Sequence, residues 1–148
     1  MIRIIDFVPV LETSILADND VFFIPIEVVG CFKNGAPAEL VSVQVIDTDD
    51  QGTDFDLFFF NASATLGTLN SGVTISDADA AKLIGHVVIT AAANGTDMIN
   101  SWQFVKGSLG LLMAPVAGSS SLWVGGVVRS GTPTYTASGF KVKLCFKD

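Results

Sequence analysis

The sequence contains few charged residues, and its basic residues are sparse. Charged residues make up 16% of the 148 residues, against a usual share of about 25%. The net charge is −7, and of the eight basic residues only Lys141, Lys143 and Lys147 lie close together. Binding a nucleic-acid backbone requires clustered lysine and arginine. This composition therefore predicts that nucleic acid is not a partner.

The sequence also lacks the common catalytic motifs. It contains no G-x-S-x-G elbow, phosphate-binding loop, dinucleotide fingerprint or H-E-x-x-H helix. Its one histidine, His86, stands at the start of a predicted strand. General base catalysis requires an orienting partner and a nucleophile beside such a residue. We therefore expect no enzymatic activity and no cofactor.

Cysteine is limited to Cys31 and Cys145. They form no C-x-x-C pair, so a zinc site is not predicted. We expect two small buried side chains in strands. A disulfide is the alternative, and it requires the first and last thirds of the chain to meet.

Long apolar runs are absent, although apolar residues reach 49% and the mean hydropathy is +0.54. The longest candidate, 21–30, contains Pro25 and Glu27 and is far shorter than the ~20 residues that span a membrane. The first residues show no signal-peptide pattern, and we expect no membrane association. The apolar surplus predicts a large core, protein–protein interfaces, or both.

The stretch 40–69 is the most informative part of the chain. Two apolar runs, 40–46 and 55–60, flank an acidic turn, which is typical of a β-hairpin. Alternation places Val41, Val43 and Val45 on one face of the first strand. On the second strand, one face carries Phe55, Leu57 and Phe59, and the other carries Asp54, Asp56, Phe58 and Phe60. Either another part of the chain or another protein must cover Phe58 and Phe60.

The rest of the chain repeats short strands and turns. The clearest alternation is in 140–147, where apolar residues alternate with lysines. Residues 76–85 predict one short helix, with Ser76 as its N-cap and Gly85 at its end. The pattern indicates an all-β fold: an antiparallel β-sandwich or jelly-roll-like single domain over 1–148. Residues 1–20 are predicted to be an extended N-terminal segment.

The acidic turn suggests two interpretations. Asp47, Asp49 and Gly52 match the start of a calcium loop, and Asp50 and Asp54 offer further carboxylates. However, Gln51 occupies a usual ligand position, and Phe58 occupies that of the bidentate glutamate. The calcium motif is therefore incomplete, no metal is predicted, and a solvated hairpin turn is the alternative.

Three segments resemble motifs of small virion proteins of tailed bacteriophages. They are VIDTDDQGTDFDLFFF at 45–60, ISDADAAKLIGHVV at 75–88 and GTPTYTASGFKVKL at 131–144. The family is similar to capsid cement, or decoration, proteins. The resemblance implies a non-enzymatic β domain that is made in the host cytoplasm, resides in the virion capsid and binds the major capsid protein.

A clip of this kind works through many small contacts around the shell, and closed symmetry predicts a homo-oligomer, a dimer or a trimer. The N-terminal segment either forms a strand of its own sheet or adds a strand to a neighbour's sheet. The candidate interface residues are Phe58, Phe60, Ile2, Ile4, Pro115 and Val116.

Two other functions remain open. One is a different virion role, as a tail, adaptor or vertex-knob component, which copy number would distinguish. The other is a carbohydrate-binding jelly-roll module that uses Trp102, Trp123 or Tyr135 as a stacking platform.

Overall fold

The computed structural model describes all 148 residues and contains two antiparallel sheets packed face to face. The larger sheet has the order β1-β10-β3-β7-β6, and β8 also pairs with β3. Its strands are β1 (Ile2–Phe7), β3 (Ala38–Asp47), β6 (Gly95–Asp97), β7 (Trp102–Lys106), β8 (Leu111–Met113) and β10 (Phe140–Lys147). The smaller sheet, in the order β2-β9-β4-β5, comprises β2 (Val21–Val28), β4 (Phe55–Phe60), β5 (Leu83–Ile89) and β9 (Leu122–Val128). The predicted all-β, antiparallel fold class is confirmed.

The main core lies between the sheets and is dominated by aromatic rings. Phe22 and Phe55 of the smaller sheet pack against Phe140 of the larger sheet, with ring centroids 5.3 and 5.1 Å away. Phe104 approaches Phe55 edge-on at 5.1 Å. Edge-to-face contacts at these distances are the favoured geometry for aromatic pairs. The alternation predicted for 140–147 is observed in β10, whose apolar residues are buried and whose lysines are exposed.

A second, smaller core lies on the outer face of the smaller sheet. It consists of Val21, Phe60, Leu66 and Val127, all buried. The segment 61–75 folds back over this face, held by backbone bonds from Val21 N to Ser71 O and from Asn70 N to Val21 O. Another part of the chain, rather than another protein, therefore covers Phe60. The interface assignment of Phe60 is corrected, because its ring is inaccessible in the folded chain.

The predicted helix at 76–85 is shorter in the structure. The helix α1 covers Asp77–Ala80, and the Ser76 hydroxyl accepts the Asp79 N–H at 3.1 Å, as an N-cap does. Leu83 and the residues that follow instead enter β5, which pairs with β4 along its whole length. Strand pairing overrides the local helix signal here. A second short helix, α2 (Ala91–Asn94), follows β5, and a single 3-10 turn occupies Lys33–Gly35.

The alternation predicted for Val41, Val43 and Val45 fails at Val41. The pairing of β3 with β10 shifts register after Cys145, so that Val41 is an extra residue and Leu40 takes the buried position. A β-bulge has this effect on side-chain direction. Both cysteines are free, with Cys31 buried and Cys145 half-buried. No helix is long and apolar enough to cross a membrane.

We expect Gly126→Ala to destabilise the fold, because Gly126 leaves room for two rings of the main core. A Cβ there would lie 2.2 Å from Phe23 Cε1 and 2.6 Å from Phe22 Cε1. Overpacking of this kind costs about 1–3 kcal/mol of unfolding free energy, which urea denaturation measures. The control is Gly107→Ala, whose added Cβ meets no atom within 4 Å. Equal stability of the two variants would contradict the packing described here.

Candidate interaction surface

The strands β1 and β2 lie at the same edge of the sandwich. The guanidinium of Arg3, in β1, donates hydrogen bonds to Gly30 O at 2.7 Å and to Cys31 O at 2.8 Å, just after the end of β2. It also lies over the ring of Phe146 in β10. The opposite edge is bridged by Lys106 of β7, which donates to Val88 O of β5. The sandwich therefore has two distinct edges, and β1 is the last strand of the larger sheet at the first of them.

The free side of β1 presents unpaired backbone groups. Antiparallel partners alternate between pairs that exchange backbone hydrogen bonds and pairs that do not. Met1 O accepts from Asp148 N at 3.0 Å, and Ile2 stands opposite Lys147. This alternation directs the backbone groups of Ile2, Ile4 and Asp6 away from β10, toward the open edge.

The side chains of this edge are aliphatic and accessible. Ile2 is 67% exposed and Ile4 is 62% exposed. The strand contains no proline, no lysine and no bulge against β10, three features by which sheet proteins protect a free edge from pairing with another chain. Its two charged residues, Arg3 and Asp6, each form an ion pair within the chain. An open edge of this kind can receive a strand from another polypeptide.

An ion pair joins β1 to the residue that follows β10. Arg3 binds the Asp148 carboxylate through Nη2 at 2.7 Å and through Nε at 3.1 Å. The hydrogen bond from Arg3 lowers the pKa of Asp148 below its ordinary value. The same guanidinium also binds the backbone after β2, so Arg3 links the edge strands of the two sheets.

A groove continues the open edge beyond the end of β1. β1 ends at Phe7, while β10 extends to Phe140, so part of β10 has no neighbour on this side. The groove has a volume of about 550 Å³. It is lined by Asp6, Phe7, Val8, Lys141, Val142 and Lys143. Its lining therefore combines apolar and charged residues.

The structure does not bring the six predicted interface residues onto one surface. Ile2 and Ile4 share the open edge of β1. Phe58 lies half-buried on the outer face of the smaller sheet, stacked on His86 with centroids 4.5 Å apart. Pro115 and Val116 belong to the loop after β8, which pairs with β3 on the side away from β1.

The acidic turn is an internally hydrogen-bonded latch. Asp47, fully buried, accepts the N–H groups of Asp49, Gln51 and Gly52 at 2.9–3.1 Å. Burial raises the pKa of Asp47, and these three bonds oppose that shift.

Asp49 in turn accepts the N–H and the hydroxyl of Thr136, at 2.8 and 2.9 Å, and so joins the turn to the 133–139 loop. Of the other calcium candidates, Asp54 accepts the N–H of Ala91 at 2.8 Å, while Asp50 is exposed. No group of three or more His, Cys, Asp or Glu side chains is placed to hold a metal ion.

No sequence pattern predicted the ion-pair network around the buried carboxylate of Asp56. Asp56 is buried, and its Oδ2 accepts from Arg129 Nε at 2.7 Å and from His86 Nε2 at 3.0 Å. Arg129 also donates to Asn19, and Asp56 Oδ1 has no partner. These residues are far apart in the chain, and only the alternation that puts Asp56 on the same face as Phe58 pointed to the site. His86 is bonded to no hydroxyl or thiol, so the network holds elements together and contains no nucleophile.

The three proposed carbohydrate platforms are occupied within the fold. Tyr135 is buried and bonds Thr53 through its hydroxyl at 2.8 Å. Trp102 is half-buried, stacks on Phe104 and covers Gly52. Trp123 packs against the second core.

Comparison with known proteins gives only weak structural similarity. No protein-family model and no curated protein matches the sequence. A chain of Desmodium yellow mottle tymovirus is similar at 12% identity, covering 99% of this chain and 79% of that chain, with a TM-score of 0.31. The structure of infectious bursal disease virus Gx strain is similar at 13% identity, covering 99% of this chain and 36% of that chain, with a TM-score of 0.22. Scores of this size establish no common fold, so the function proposed below is based on this chain's own residues.

We expect Asp47→Asn to destabilise the protein by about 1–3 kcal/mol, the cost of leaving buried N–H donors unsatisfied. The amide nitrogen that replaces one oxygen cannot accept from the turn's N–H groups. The matched control is Asp50→Asn, because Asp50 is exposed and asparagine tolerates its φ of 57°. Urea denaturation at pH 7 distinguishes the two variants. Similar losses in both would mean that the latch does not depend on Asp47.

We expect Arg129→Met to lower the free energy of unfolding by about 3 kcal/mol, because it removes a partner of the buried Asp56 carboxylate. The control is Lys143→Met, which removes a surface pair with Asp6 whose charged atoms are 3.8 Å apart. Exposed pairs contribute about 0–1 kcal/mol. Thermal and urea unfolding measure both variants, and a loss for Arg129→Met no larger than the control's would contradict the network's role.

Proposed function

We propose that this chain is a non-enzymatic structural component of a virus particle, and specifically a capsid cement, or decoration, protein of a tailed bacteriophage. In this proposal it is made in the host cytoplasm, binds the major capsid protein in the virion and stabilises the head. The sequence motifs at 45–60, 75–88 and 131–144 support the phage assignment. The open edge of β1 is the observation that supports the proposed way of binding, in which the capsid protein adds a strand to this sheet.

The edge suits a clip that is used many times. An added strand gains backbone hydrogen bonds from the free groups of Ile2, Ile4 and Asp6 and aliphatic contact from Ile2 and Ile4. Each contact is small, but a shell presents many equivalent sites, and linked contacts raise the overall strength well beyond that of one. The partner in this proposal is an extended segment of the major capsid protein.

Copy number separates cement from the other virion roles. A cement protein is present in many copies over the whole shell, whereas a tail, adaptor or vertex-knob protein forms a small ring or a few knobs. Gel densitometry of purified virions, with the major capsid protein as the standard, therefore tests whether this chain is a cement protein. The carbohydrate-binding alternative has less support, because Tyr135 is buried and the half-buried Trp102 and Trp123 pack against other residues of the fold.

We expect Ile4→Lys to abolish binding to shells that lack this protein, because a lysine on an open edge opposes strand addition. The matched control is Gln44→Lys, which adds the same charge on the same face of the larger sheet but in β3, away from the edge. Co-sedimentation with purified shells measures binding, and the temperature at which the shells rupture measures stabilisation. Wild-type protein and the control should both raise that temperature, and Ile4→Lys should not.

Cys145 supplies an independent readout, because it stands directly opposite Ile4 in the register. Burial raises the pKa of Cys31 to about 12, so only Cys145 should react with a thiol reagent in the folded chain. We expect the shell to protect Cys145 from alkylation. Full reactivity on the shell, or shells of unchanged toughness without the protein, would contradict the proposal.

A further inference from the structure

The free backbone groups of β1 are complementary to those of the same strand in a second copy. Ile2, Ile4 and Asp6 direct their N–H and C=O groups toward the open edge, because the alternate residues face β10, as the bond from Asp148 N to Met1 O shows. An antiparallel, two-fold arrangement sets Ile4 opposite Ile4 of the second copy, and Ile2 opposite its Asp6. All three residues thereby form pairs that exchange both of their backbone hydrogen bonds.

The length of β1 selects this register. A shift of one residue sets outward-facing backbone groups opposite inward-facing ones, so no hydrogen-bonded ladder forms. A shift of two residues leaves either Ile2 or Asp6 opposite a residue outside the strand, which covers only Ile2–Phe7. The strand therefore pairs fully with its own copy in one register only.

Charges on the outer face of the larger sheet are complementary in this register. Asp6 lies beside Lys143 of its own chain, with charged atoms 3.8 Å apart, and Lys147 stands opposite Ile2. Because Asp6 of one copy faces Ile2 of the other, the other copy's Lys147 is the next side chain in the same row. Lys147 is exposed and forms no ion pair within its own chain. Each Asp6 carboxylate is thus flanked by lysines on both sides, one from each copy.

Aliphatic side chains continue the surface beside the joined strands. Ile2 and Ile4 of the two copies form one stripe on the outer face. Val8 and Val10, which follow β1, are exposed, and so is Ile24 in the edge strand β2. Val10 and Ile24 line one groove of about 340 Å³. The two-fold axis brings the same edge of the second copy alongside these residues.

We propose that the free protein is a two-fold symmetric dimer, in which β1 pairs with β1 of a second copy and the two larger sheets become one. Such a contact uses the same surface of both copies and is closed, so it adds no third copy. A second copy and a capsid segment require the same backbone groups, and the dimer therefore separates when the shell supplies its strand. This regulation of the edge rests on the proposed function, whereas the dimer itself does not.

Opposite charges at position 4 test the two-fold axis, since only this register sets residue 4 opposite itself. Ile4→Lys alone and Ile4→Glu alone each place like charges opposite one another, which destabilises a strand pair. In analytical ultracentrifugation, each variant should dimerise about 30-fold or more weakly than the wild type, as expected for a central interface residue. An equal mixture should form a dimer with one copy of each variant, because the facing charges then attract. The control Gln44→Lys, in β3 and away from the edge, should dimerise like the wild type.

Cys145 measures the same register in the wild-type chain. It stands opposite Ile4, so three strand spacings, about 14 Å, separate the two Cys145 backbones of the dimer. A bismaleimide with a hexane spacer should therefore join two copies. Copper-catalysed oxidation should not, since a disulfide requires Cα atoms within about 7 Å. The control is Cys145→Ser, which should give no link because Cys31 is buried.

Wild-type chains that stay monomeric, a mixture of the two Ile4 variants that forms no dimer, or copies that oxidation joins through Cys145 would each overturn the dimer. Thermal unfolding of each variant should match that of the monomeric wild type, because Ile4 is 62% exposed. A matching midpoint excludes misfolding as the cause of lost association.

Shell binding distinguishes this inference from the proposed function. Wild-type protein that is monomeric and sediments with shells contradicts only the dimer, whereas a dimer that never sediments with shells contradicts only the function. If the dimer separates on binding, the binding rate should rise in proportion to protein concentration while the protein is monomeric. Once dimers dominate, it should rise only as the square root, by mass action. Proportionality throughout would contradict the exchange of one strand for the other.

Discussion

The fold depends on the burial of β4 on both of its faces. Phe55, Leu57 and Phe59 fill the space between the two sheets, while Phe60 on the other face lies beneath the segment 61–75. Most strands of a two-layer protein have one wet face. A strand with two dry faces requires three layers of chain, and here the third layer is an irregular segment rather than a sheet. Much of the apolar surplus of the sequence is accounted for by this arrangement.

Two buried carboxylates within these layers are hydrogen-bonded and fix how the layers meet. Asp47 closes the turn that leads into β4, and Asp56 ties β4 to Arg129 and His86 beside the second core. Both carboxylates are buried next to aromatic residues, where an unpaired charge would be costly. The few charged residues of the chain therefore serve largely to position elements. The exposed apolar residues that remain include Ile2 and Ile4 of β1, Val10 and Ile24 beside the β2 edge, Met98 and Ile99 between β6 and β7, and Leu112 on the outer face of the larger sheet.

The fold class followed from the sequence because alternation and turn residues are local signals. The pattern in 140–147 needed only β10 itself, and the cap at Ser76 needed only its own turn. The predictions that failed involve distant partners. Leu83 continues from a capped helix into a strand because β4 is there to pair with it, and Val41 turns outward because of its register with β10. For the same reason, the sequence did not show what covers Phe58 and Phe60. The segment that covers them has no periodic pattern that would predict its position. The open edge of β1 and the Asp56 network depend on strand order, which no local pattern encodes.

The position of β10 has a consequence for how the chain matures. This strand lies between β1 and β3, both of which are made long before it. Until it is translated, β1 has no partner in the sheet, and β3 lacks its neighbour on one side. Contacts between such distant segments make folding slow. An unfinished chain therefore lacks β10, the strand with which β1 pairs. Only a chain synthesised through residue 147 can form the edge of β1 in a defined geometry. The open edge therefore forms only after synthesis of the domain has finished.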